Sequence, residues 1–418
     1  MIKDKSNNRI LLVVFITIFL DMLSFGVLIP LYPSLILPNS PFRISPVGWG
    51  YEKSTILLGW LTSIFALTQF FSNPILGQLA DKFGRKRIMM VSVLGTIIGF
   101  FLFAIGLELK NLFLIFFARF LVGATSGNLT VSQAIVSDIS KIKDRAKNYG
   151  IIGAAFGMGF IFGPIVGGKL SDHHLFYLFD VSTPFFFISI MGIINLISVF
   201  LFLPETNKHY SKKSIVLTKS FYNIYHSFKI EGVKKIAPIL FLFNSGFSLF
   251  TSFFGIILAN KYHFTSIKIA NYFGLIGIAI VLSQIFMVRI ISLKVKDYNV
   301  LRFSIIMNGL TILCYYFIPY SQIKLIYWII PLLALSNALS NIFLSVLISR
   351  ITDKKYSGEV FGISTGLKSL AMALPTLISS YLVVGNYYLT LLIGSTLTII
   401  SGVIFWFYFN PNEFKHLD

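Results

Sequence analysis

The stretch GQLADKFGRKR, residues 77–87, lies between two long apolar segments that cover residues 54–80 and 88–107. A helix needs about 20 apolar residues to cross the hydrocarbon core of a bilayer, and both segments reach that length. The glycines of the stretch allow a tight turn at the membrane surface, and Asp81 can cap a helix or hold a cation. Its last three residues are basic and can pair with carboxylates or lipid phosphate. The stretch therefore indicates a short polar connection between two transmembrane helices.

Apolar segments of this kind recur along the whole chain. Of its 418 residues, 56% are hydrophobic and 12% are charged, whereas soluble domains have about 45–50% and about 25%. The sequence predicts an all-α integral membrane protein with twelve transmembrane helices. The predicted spans cover residues 10–31, 54–80, 88–107, 111–136, 147–171, 181–203, 237–260, 268–290, 300–319, 323–349, 357–383 and 387–409.

The basic residues are unevenly distributed about these spans. The chain has 35 Lys and Arg against 16 Asp and Glu, a net charge of +19. In this topology 26 basic residues lie on the side of the N-terminus, seven lie opposite, and two, Arg119 and Lys368, lie inside spans. The positive-inside rule then places both termini in the cytoplasm. We expect a multi-pass protein of the cytoplasmic (inner) membrane of the cell. We expect the partner of this charge to be anionic lipid headgroups on the cytoplasmic side and no nucleic acid.

A basic connection divides the spans into two sets of six. Residues 204–236 carry seven lysines, and the preceding and following parts, 1–203 and 237–418, align when 212 is added to a residue number. With that offset Ser137 matches Ser349 and Gly150 matches Gly362 without a gap. We therefore predict two pseudo-symmetric six-helix bundles joined by a cytoplasmic linker. Duplicated bundles of this kind hold a substrate between the halves, near the bilayer midplane.

The loop at residues 77–87 resembles the signature Gly-x-x-x-Asp-x-x-Gly-Arg-Lys/Arg of the major facilitator superfamily, which also has twelve spans, an internal repeat and a central loop. The resemblance implies a cytoplasmic latch between outward-facing and inward-facing states, with Asp138 as the partner carboxylate. A turn that carries only positive-inside charge is the alternative. The matching residues are Gly77, Asp81, Gly84, Arg85 and Lys86. Position 293 in the second half corresponds to Asp81 in the repeat, and the chain has leucine there.

The fifth span, GIIGAAFGMGFIFGPIVGG from Gly150, has small residues at helical spacing. Such a surface allows another helix to approach to backbone contact. The span resembles the Gly-x8-Gly-x3-Gly-Pro-x3-Gly-Gly motif of antiporters in this superfamily, which implies export. A packing surface common to many membrane proteins is the other interpretation. The motif is carried by Gly150, Gly159, Gly163, Pro164, Gly167 and Gly168.

Two charged residues carry further resemblances. The first span, FLDMLSFGVLIPLYP from Phe19, resembles the first helix of tetracycline-type and multidrug proton antiporters, with Asp21 as its acid. The fourth span, ARFLVGATSGN from Ala118, resembles the membrane-embedded arginine motif of the family at Arg119. At 1.5 Å per residue, both side chains lie roughly 16–18 Å from the cytoplasmic face. We expect Asp21 to bind a coupling proton and Arg119 to modulate it. A static ion pair that orients helices is the alternative.

Lys368 reaches a similar depth in the eleventh span and has no counterpart in the repeat, where Phe156 occupies its place. It either neutralises Asp21 or attracts an anionic substrate. Other polar residues inside spans are candidates for the substrate cavity, with hydrogen bonding between helices as the alternative. They are Asn128, Gln133, Asn244, Gln284, Asn337 and Asn341.

These features favour a secondary transporter that exports a small organic molecule, a drug or a metabolite, in exchange for protons. An exporter of an anionic metabolite or siderophore, and a proton symporter or facilitator that imports a nutrient, remain alternatives. A single cysteine and scattered histidines offer no metal site, and no nucleophile and base stand together, so we expect neither an enzyme nor a metal. A receptor or scaffold would carry a further soluble domain. We expect no cofactor beyond the proton, and a monomer.

Overall fold

The computed structural model describes residues 2–409 apart from a few short segments. The segments left out are 38–39, 41, 47, 141–144, 208–209, 212–213, 228–230, 293–294, 352–356, 383–385 and 387. Within the described part the regular structure is helical, with sixteen α-helices. They are α1 Ile2–Leu28, α2 Tyr32–Ile36, α3 Tyr51–Phe83, α4 Arg85–Glu108, α5 Leu112–Thr125, α6 Asn128–Ile139, α7 Arg145–Leu170, α8 Thr183–Phe202, α9 Lys219–Ser227, α10 Glu231–Tyr262, α11 Ser266–Leu282, α12 Val288–Ser292, α13 Asp297–Phe317, α14 Leu325–Ile351, α15 Ser357–Leu382 and α16 Leu389–Tyr408.

Eleven helical segments of the described chain are long and apolar enough to cross a membrane. They coincide with eleven of the twelve predicted spans, and the all-helical membrane architecture is confirmed. The remaining predicted span, 357–383, forms α15, which has 26 residues, enough to rise about 39 Å. Its middle carries Lys368 and several hydroxyl side chains, which lower its mean hydropathy. The count of twelve spans and the cytoplasmic position of the termini stay predictions.

One compact unit comprises Met1–Gly48 and Ile64–Lys219. Helix α1 packs along α7 and also contacts α8, whereas α4 packs against both α5 and α8. The apolar core of this unit is built from aliphatic side chains such as Val14, Val131 and Val199, none of which is accessible to solvent. These contacts hold α1 between α7 and α8, with α6 also against it.

The second compact unit comprises Trp49–Ser63 and Ser220–Asp418. Here α10 packs on α15 and α16, whereas α13 packs on α14 and α16. Under the predicted repeat, these four contacts are the counterparts of the four contacts in the first unit. The first part of α3 belongs to this unit, where the hydroxyl of Ser63 donates to the carbonyl of Ala373 at 2.8 Å. In this division the first part of α3 falls in the second unit, and the first unit extends to Lys219, within the predicted linker. The predicted bundle boundaries stay a prediction.

The helices depart from the predicted spans at three places. The span predicted at 111–136 is broken at Ser126 and Gly127 into α5 and α6. The span predicted at 268–290 contains a single π-helical turn, Ser283–Met287, between α11 and α12. The predicted linker contains a short helix, α9. Hydropathy averaged over a span does not register such local breaks, because they change the hydrogen bonding of the backbone and leave the composition unchanged.

Candidate functional site

Asp21 and Asn128 meet inside the first unit. Asp21 lies in the last third of α1, and Asn128 is the first residue of α6. The amide nitrogen Nδ2 of Asn128 donates to Oδ1 of Asp21 at 2.8 Å. Asp21 is partly buried, and its carboxylate forms no ion pair with any residue that the structure describes. The partner of the acid in this structure is therefore a neutral amide.

The break between α5 and α6 positions Asn128. Where the helix stops, the carbonyl of Gly123 is left outside the regular ladder and accepts hydrogen bonds from two hydroxyls, Ser126 at 2.8 Å and Ser72 at 2.7 Å. Hydroxyl side chains are the usual way to satisfy a backbone carbonyl freed at membrane depth. A Cβ at Gly127 would lie 2.7 Å from a methyl of Leu76, so the chain passes close to α3 at this point. The interruption turns Asn128 into a helix-terminal residue that faces α1.

Arg119 is buried in α5 with 3% of its surface exposed. Its guanidinium carbon lies 4.6 Å from the centre of the Phe65 ring in α3, and Tyr32 in α2 lies nearby. A planar guanidinium stacks well on an aromatic face, and burial strengthens such a contact. In this arrangement the arginine and Asp21 do not form the static ion pair that was the alternative to proton coupling. The sequence analysis missed Phe65 and Tyr32, because apolar and aromatic residues are too frequent in spans to stand out.

The glycines of α7 face α1 at the level of Asp21. A Cβ at Gly163 would lie 2.7 Å from the Cα of Gly26, and a Cβ at Gly159 would lie 2.8 Å from the backbone nitrogen of Leu23. Real Cβ atoms do not approach other atoms this closely, so only glycine permits the contact. Gly167 continues the same face and meets the backbone of Val27.

The other motif positions of α7 play different parts. Pro164 takes part in the contact with α1, since a Cβ added at Gly26 would lie 2.9 Å from the Cδ of this proline. Gly150 does not, because nothing lies within 4 Å of a Cβ added there. Gly168 is buried within α7. The close approach to α1 is therefore made by the part of the motif that begins at Gly159. Its role in the direction of transport stays a prediction.

The loop between α3 and α4 forms an ion-pair network. Arg85 pairs with Asp81 at 2.6 Å, and its Nε lies 3.3 Å from Oδ2 of Asp138 in α6. The pairing of Arg85 with Asp138 that the resemblance implied is therefore present. Lys86 donates to the carbonyl of Phe200 at 2.7 Å, and a Cβ at Gly77 would lie 3.3 Å from a methyl of Thr130. The role of this network as a latch stays a prediction.

Glu205, which the sequence analysis did not select, caps this network. Its two carboxylate oxygens accept from the backbone nitrogens of Arg85 at 2.9 Å and Lys86 at 3.2 Å, the first residues of α4. A carboxylate is stabilised there by the free N–H groups and the positive end of the helix dipole. Gly84 precedes them with φ of 105°, and a Cβ there would lie 2.9 Å from Cδ of Glu205. The positive φ favours the glycine of the signature at this position, and the carboxylate of Glu205 lies beside it.

The start of the linker is tied to the same loop. Thr206 donates to Oδ2 of Asp138 at 3.2 Å, and the side chain of Asn207 donates to the carbonyl of Asp81 at 2.9 Å. Gln78 and Val216 exchange two hydrogen bonds, at 2.9 and 3.2 Å. The predicted latch therefore includes the linker itself. The sequence did offer a signal for Glu205, because it is an acidic residue directly after the sixth span in a linker rich in lysine.

Lys368 lies in the middle of α15, in the second unit, and its side chain is exposed. It forms no hydrogen bond or ion pair within the part of the chain that the structure describes. A lysine at this depth is costly in hydrocarbon and normally faces a water-filled space or a partner. The side chain is thus available to a ligand.

The remaining polar candidates lie in α6, α10, α14 and the π-helical turn. Asn337 and Asn341 lie one turn apart in α14, and Nδ2 of Asn341 donates to Oδ1 of Asn337 at 3.1 Å. Asn244 donates to the carbonyl of Leu240 in its own helix at 2.7 Å. Gln284 lies in the π-helical turn and is partly exposed. Gln133 in α6 is also partly exposed. The role of these side chains in binding substrate stays a prediction.

Comparison with known proteins shows which family the sequence matches. The sequence profile of the Major Facilitator Superfamily matches residues 14–376. The tetracycline resistance protein, class H, of Pasteurella multocida is 32% identical over 202 residues, which are 48% of this chain and 46% of that protein. Multidrug resistance protein 1 of Bacillus subtilis is 26% identical over 313 residues, 73% of this chain and 72% of that protein. The match to the tetracycline resistance protein thus spans about half of its length.

A solved structure shares the fold over nearly the whole chain. The human organic anion transporter MFSD10 superposes with a TM-score of 0.73 and covers 95% of this chain and 99% of its own. Its sequence identity is 20%, so the likeness is one of fold.

Proposed function

Because the chain belongs to the Major Facilitator Superfamily, whose members are membrane transporters, we propose that it is a proton-coupled antiporter. In this proposal the protein works as a monomer in the cytoplasmic membrane. It exports a small organic molecule by alternating access, with the proton as coupling ion and no other cofactor.

The observation that carries this proposal is the contact between Asp21 and Asn128. A carboxyl inside a membrane helix costs at least about 2.5–3.5 kcal/mol to insert unless it is neutralised or paired. Here its partner is a neutral amide at a helix break, and the side chain is only partly buried. A proton can therefore reach the carboxyl and change its charge without breaking an ion pair. Broken helices with polar termini are typical of ion and substrate sites in secondary transporters.

Two further features support export. The glycine face of α7 holds α1 in backbone contact beside Asp21. A movement of α1 that follows a change of charge at the acid can therefore be transmitted to α7. The relatives that align with the chain include proteins named for tetracycline and multidrug resistance. One proton entering the cell releases about 2.3 kcal/mol per 100 mV, and about 1.4 kcal/mol more per pH unit. This energy is enough to drive an outward gradient of small molecules.

The test is transport by the purified protein in liposomes with an imposed proton gradient. We expect Asp21→Asn to abolish gradient-driven transport while exchange of substrate across the membrane continues, because the neutral amide cannot carry a proton. The matched control is Asp172→Asn, in the loop after α7, where the one hydrogen bond that the carboxylate accepts within the described part of the chain comes from the backbone N–H of His174. Full gradient-driven transport by Asp21→Asn, or uptake in the direction of proton flow, would contradict the proposal.

An anionic substrate is a second candidate, and Lys368 favours it. The side chain is exposed in the middle of α15 and has no partner in the described part of the chain. We expect Lys368→Gln to reduce transport of carboxylate-bearing compounds at least tenfold, the loss of one charge-assisted hydrogen bond of about 1.5–3 kcal/mol. Transport of neutral compounds should be unchanged. Lys324→Gln, at an exposed position before α14, is the control. Equal losses for both classes of compound would contradict an anion site.

A further inference from the structure

The ends of three helices in the second unit bring cations and aromatic rings together. Arg302 lies in the second turn of α13, and its guanidinium carbon is 5.8 Å from the ring of Tyr298 and 5.7 Å from the ring of Trp406 near the end of α16. Lys235, at the start of α10, has its Nζ 5.7 Å from the ring of Tyr408. Both cations therefore border the last turn of α16. This is the end of the unit that the positive-inside rule assigns to the cytoplasm.

The hydrogen-bonding capacity of Arg302 is largely unused by the described part of the chain. A guanidinium has five N–H donors, and the only hydrogen bond it makes there is from Nη2 to the carbonyl of Phe409, at 3.5 Å. Its Nε is buried and donates to none of the described residues. Its Nη1 also donates to none of the described residues, and unlike Nε it is not buried. An acceptor from outside the chain can therefore reach Nη1 and stabilise a guanidinium with few partners of its own. The planar fork of donors matches the oxygens of a phosphate.

The surroundings of the two cations are apolar and face outward. Phe407 has 84% of its surface exposed, and Phe303 has 64%. The ring of Phe303 also packs edge-on against Trp406 at 5.2 Å. On a membrane protein these exposed rings contact acyl chains, and Trp and Tyr mark the level of the headgroups. A ligand at this site therefore meets apolar surface on one side and cations on the other.

We propose that Arg302 and Lys235 bind the phosphate of an anionic phospholipid, whose acyl chains lie against Phe303, Trp406 and Phe407. Arg302 supplies directed hydrogen bonds to the phosphate oxygens, and Lys235 supplies a second positive charge. Tyr298 and Tyr408 border the headgroup. The exposed Lys234 and Lys296 add positive charge at the same helix ends, where the acidic residues nearest along the chain are Glu231 and Asp297. The site is separate from Asp21 and does not depend on the proposed direction of transport.

The experiment is native mass spectrometry of the full-length protein after removal of copurified lipid. Phosphatidylglycerol, phosphatidylcholine and inorganic phosphate are added in separate titrations. We expect the wild-type protein to prefer phosphatidylglycerol over phosphatidylcholine. Arg302→Gln should weaken binding of phosphatidylglycerol about tenfold or more, the loss expected for charge-assisted hydrogen bonds. Lys235→Gln should weaken it less, because Lys235 acts through charge alone, and Arg302→Lys should keep part of the affinity.

The control is Lys324→Gln, which removes an exposed cation at the opposite end of the same unit. Thermal unfolding in detergent establishes whether each variant is folded. If Arg302→Gln does not fold, Arg302→Lys still tests the proposal. Three results would overturn the proposal: equal losses for Arg302→Gln and Lys324→Gln, equal binding of the two lipids, or displacement of the lipid by millimolar inorganic phosphate. The last result would identify a site for free phosphate.

Discussion

Charged residues inside the bilayer need partners, and Asp21 and Arg119 find different ones. Asp21 is held by the amide of Asn128, whereas Arg119 stacks on Phe65 near Tyr32. A direct ion pair would hold both charges in place and oppose proton exchange. In the observed arrangement the arginine stacks on an aromatic ring and the carboxyl has a neutral hydrogen-bond partner, which is what the proposed proton exchange requires. The chemistry proposed for the site therefore depends on a neutral residue, Asn128.

We predict that Asn128→Ala lowers the rate of gradient-driven transport about tenfold and alters its dependence on pH. The carboxyl of Asp21 loses a hydrogen-bond donor worth about 1.5–3 kcal/mol when it is charged, and about 1.4 kcal/mol corresponds to a tenfold change in rate. The measurement is transport into liposomes at several external pH values.

The control for this variant is Asn195→Ala in α8. The side-chain oxygen of Asn195 accepts from the hydroxyl of Thr17, one turn before Asp21 in α1, at 3.1 Å. This change removes a buried hydrogen bond of the same helix but does not touch the acid. We expect it to lower thermal stability and to leave the pH dependence as in the wild type. If both variants shift the pH profile alike, Asn128 acts only through the stability of α1.

At the scale of elements, backbone contact between α1 and α7 decides the geometry of the site. Small residues on α7 let α1 approach until the Cα of Gly26 faces Gly163. In lipid, such van der Waals contact is a main source of helix association, because acyl chains are as apolar as the side chains. The contact begins at Gly159 and continues to Gly167, alongside the two turns that follow Asp21. The closest contacts between the two helices therefore lie directly beside the acid.

We predict that Gly163→Ala destabilises the protein by about 1–3 kcal/mol, the usual cost of overpacking, and reduces transport. The added methyl would lie 2.7 Å from the Cα of Gly26 and the carbonyl oxygen of Leu23, so α1 must move. Thermal unfolding in detergent and transport in liposomes measure the two effects. Gly150→Ala is the matched control in the same helix, since nothing lies within 4 Å of its Cβ. Indistinguishable behaviour of the two variants would show that the contact carries no stability.

At the scale of the whole molecule, the two compact units use the same plan of helix packing. In each, the first helix packs on the fifth and sixth spans, and the third packs on the fourth and sixth. The likeness is one of packing, because few residues are identical between the halves. The charged residues differ between them: the first unit carries Asp21, Arg119 and the loop network, whereas the second carries Lys368.

The topology can be tested with single cysteines. The chain has one native cysteine, Cys314, so a Cys314→Ala background contains none. We predict that Asn386→Cys, between α15 and α16, reacts with a membrane-impermeant maleimide in intact cells, because α15 carries the chain back across the membrane. Tyr210→Cys, an exposed linker position, should react only after the cells are opened. Protection of Asn386→Cys in intact cells would contradict twelve spans.

The sequence by itself determined the class of fold, the approximate spans, the family and the charged residues at membrane depth. It could do so because hydropathy and the positive-inside rule are properties of composition along one segment, and because Asp21, Arg119 and Lys368 are conspicuous in an apolar chain. Only the tertiary structure decided which groups meet. Asn128 lies 107 residues from Asp21, and Glu205 lies about 120 residues from the start of α4. Such pairings depend on a helix break, on helix rotation and on close approach at glycine, none of which composition records.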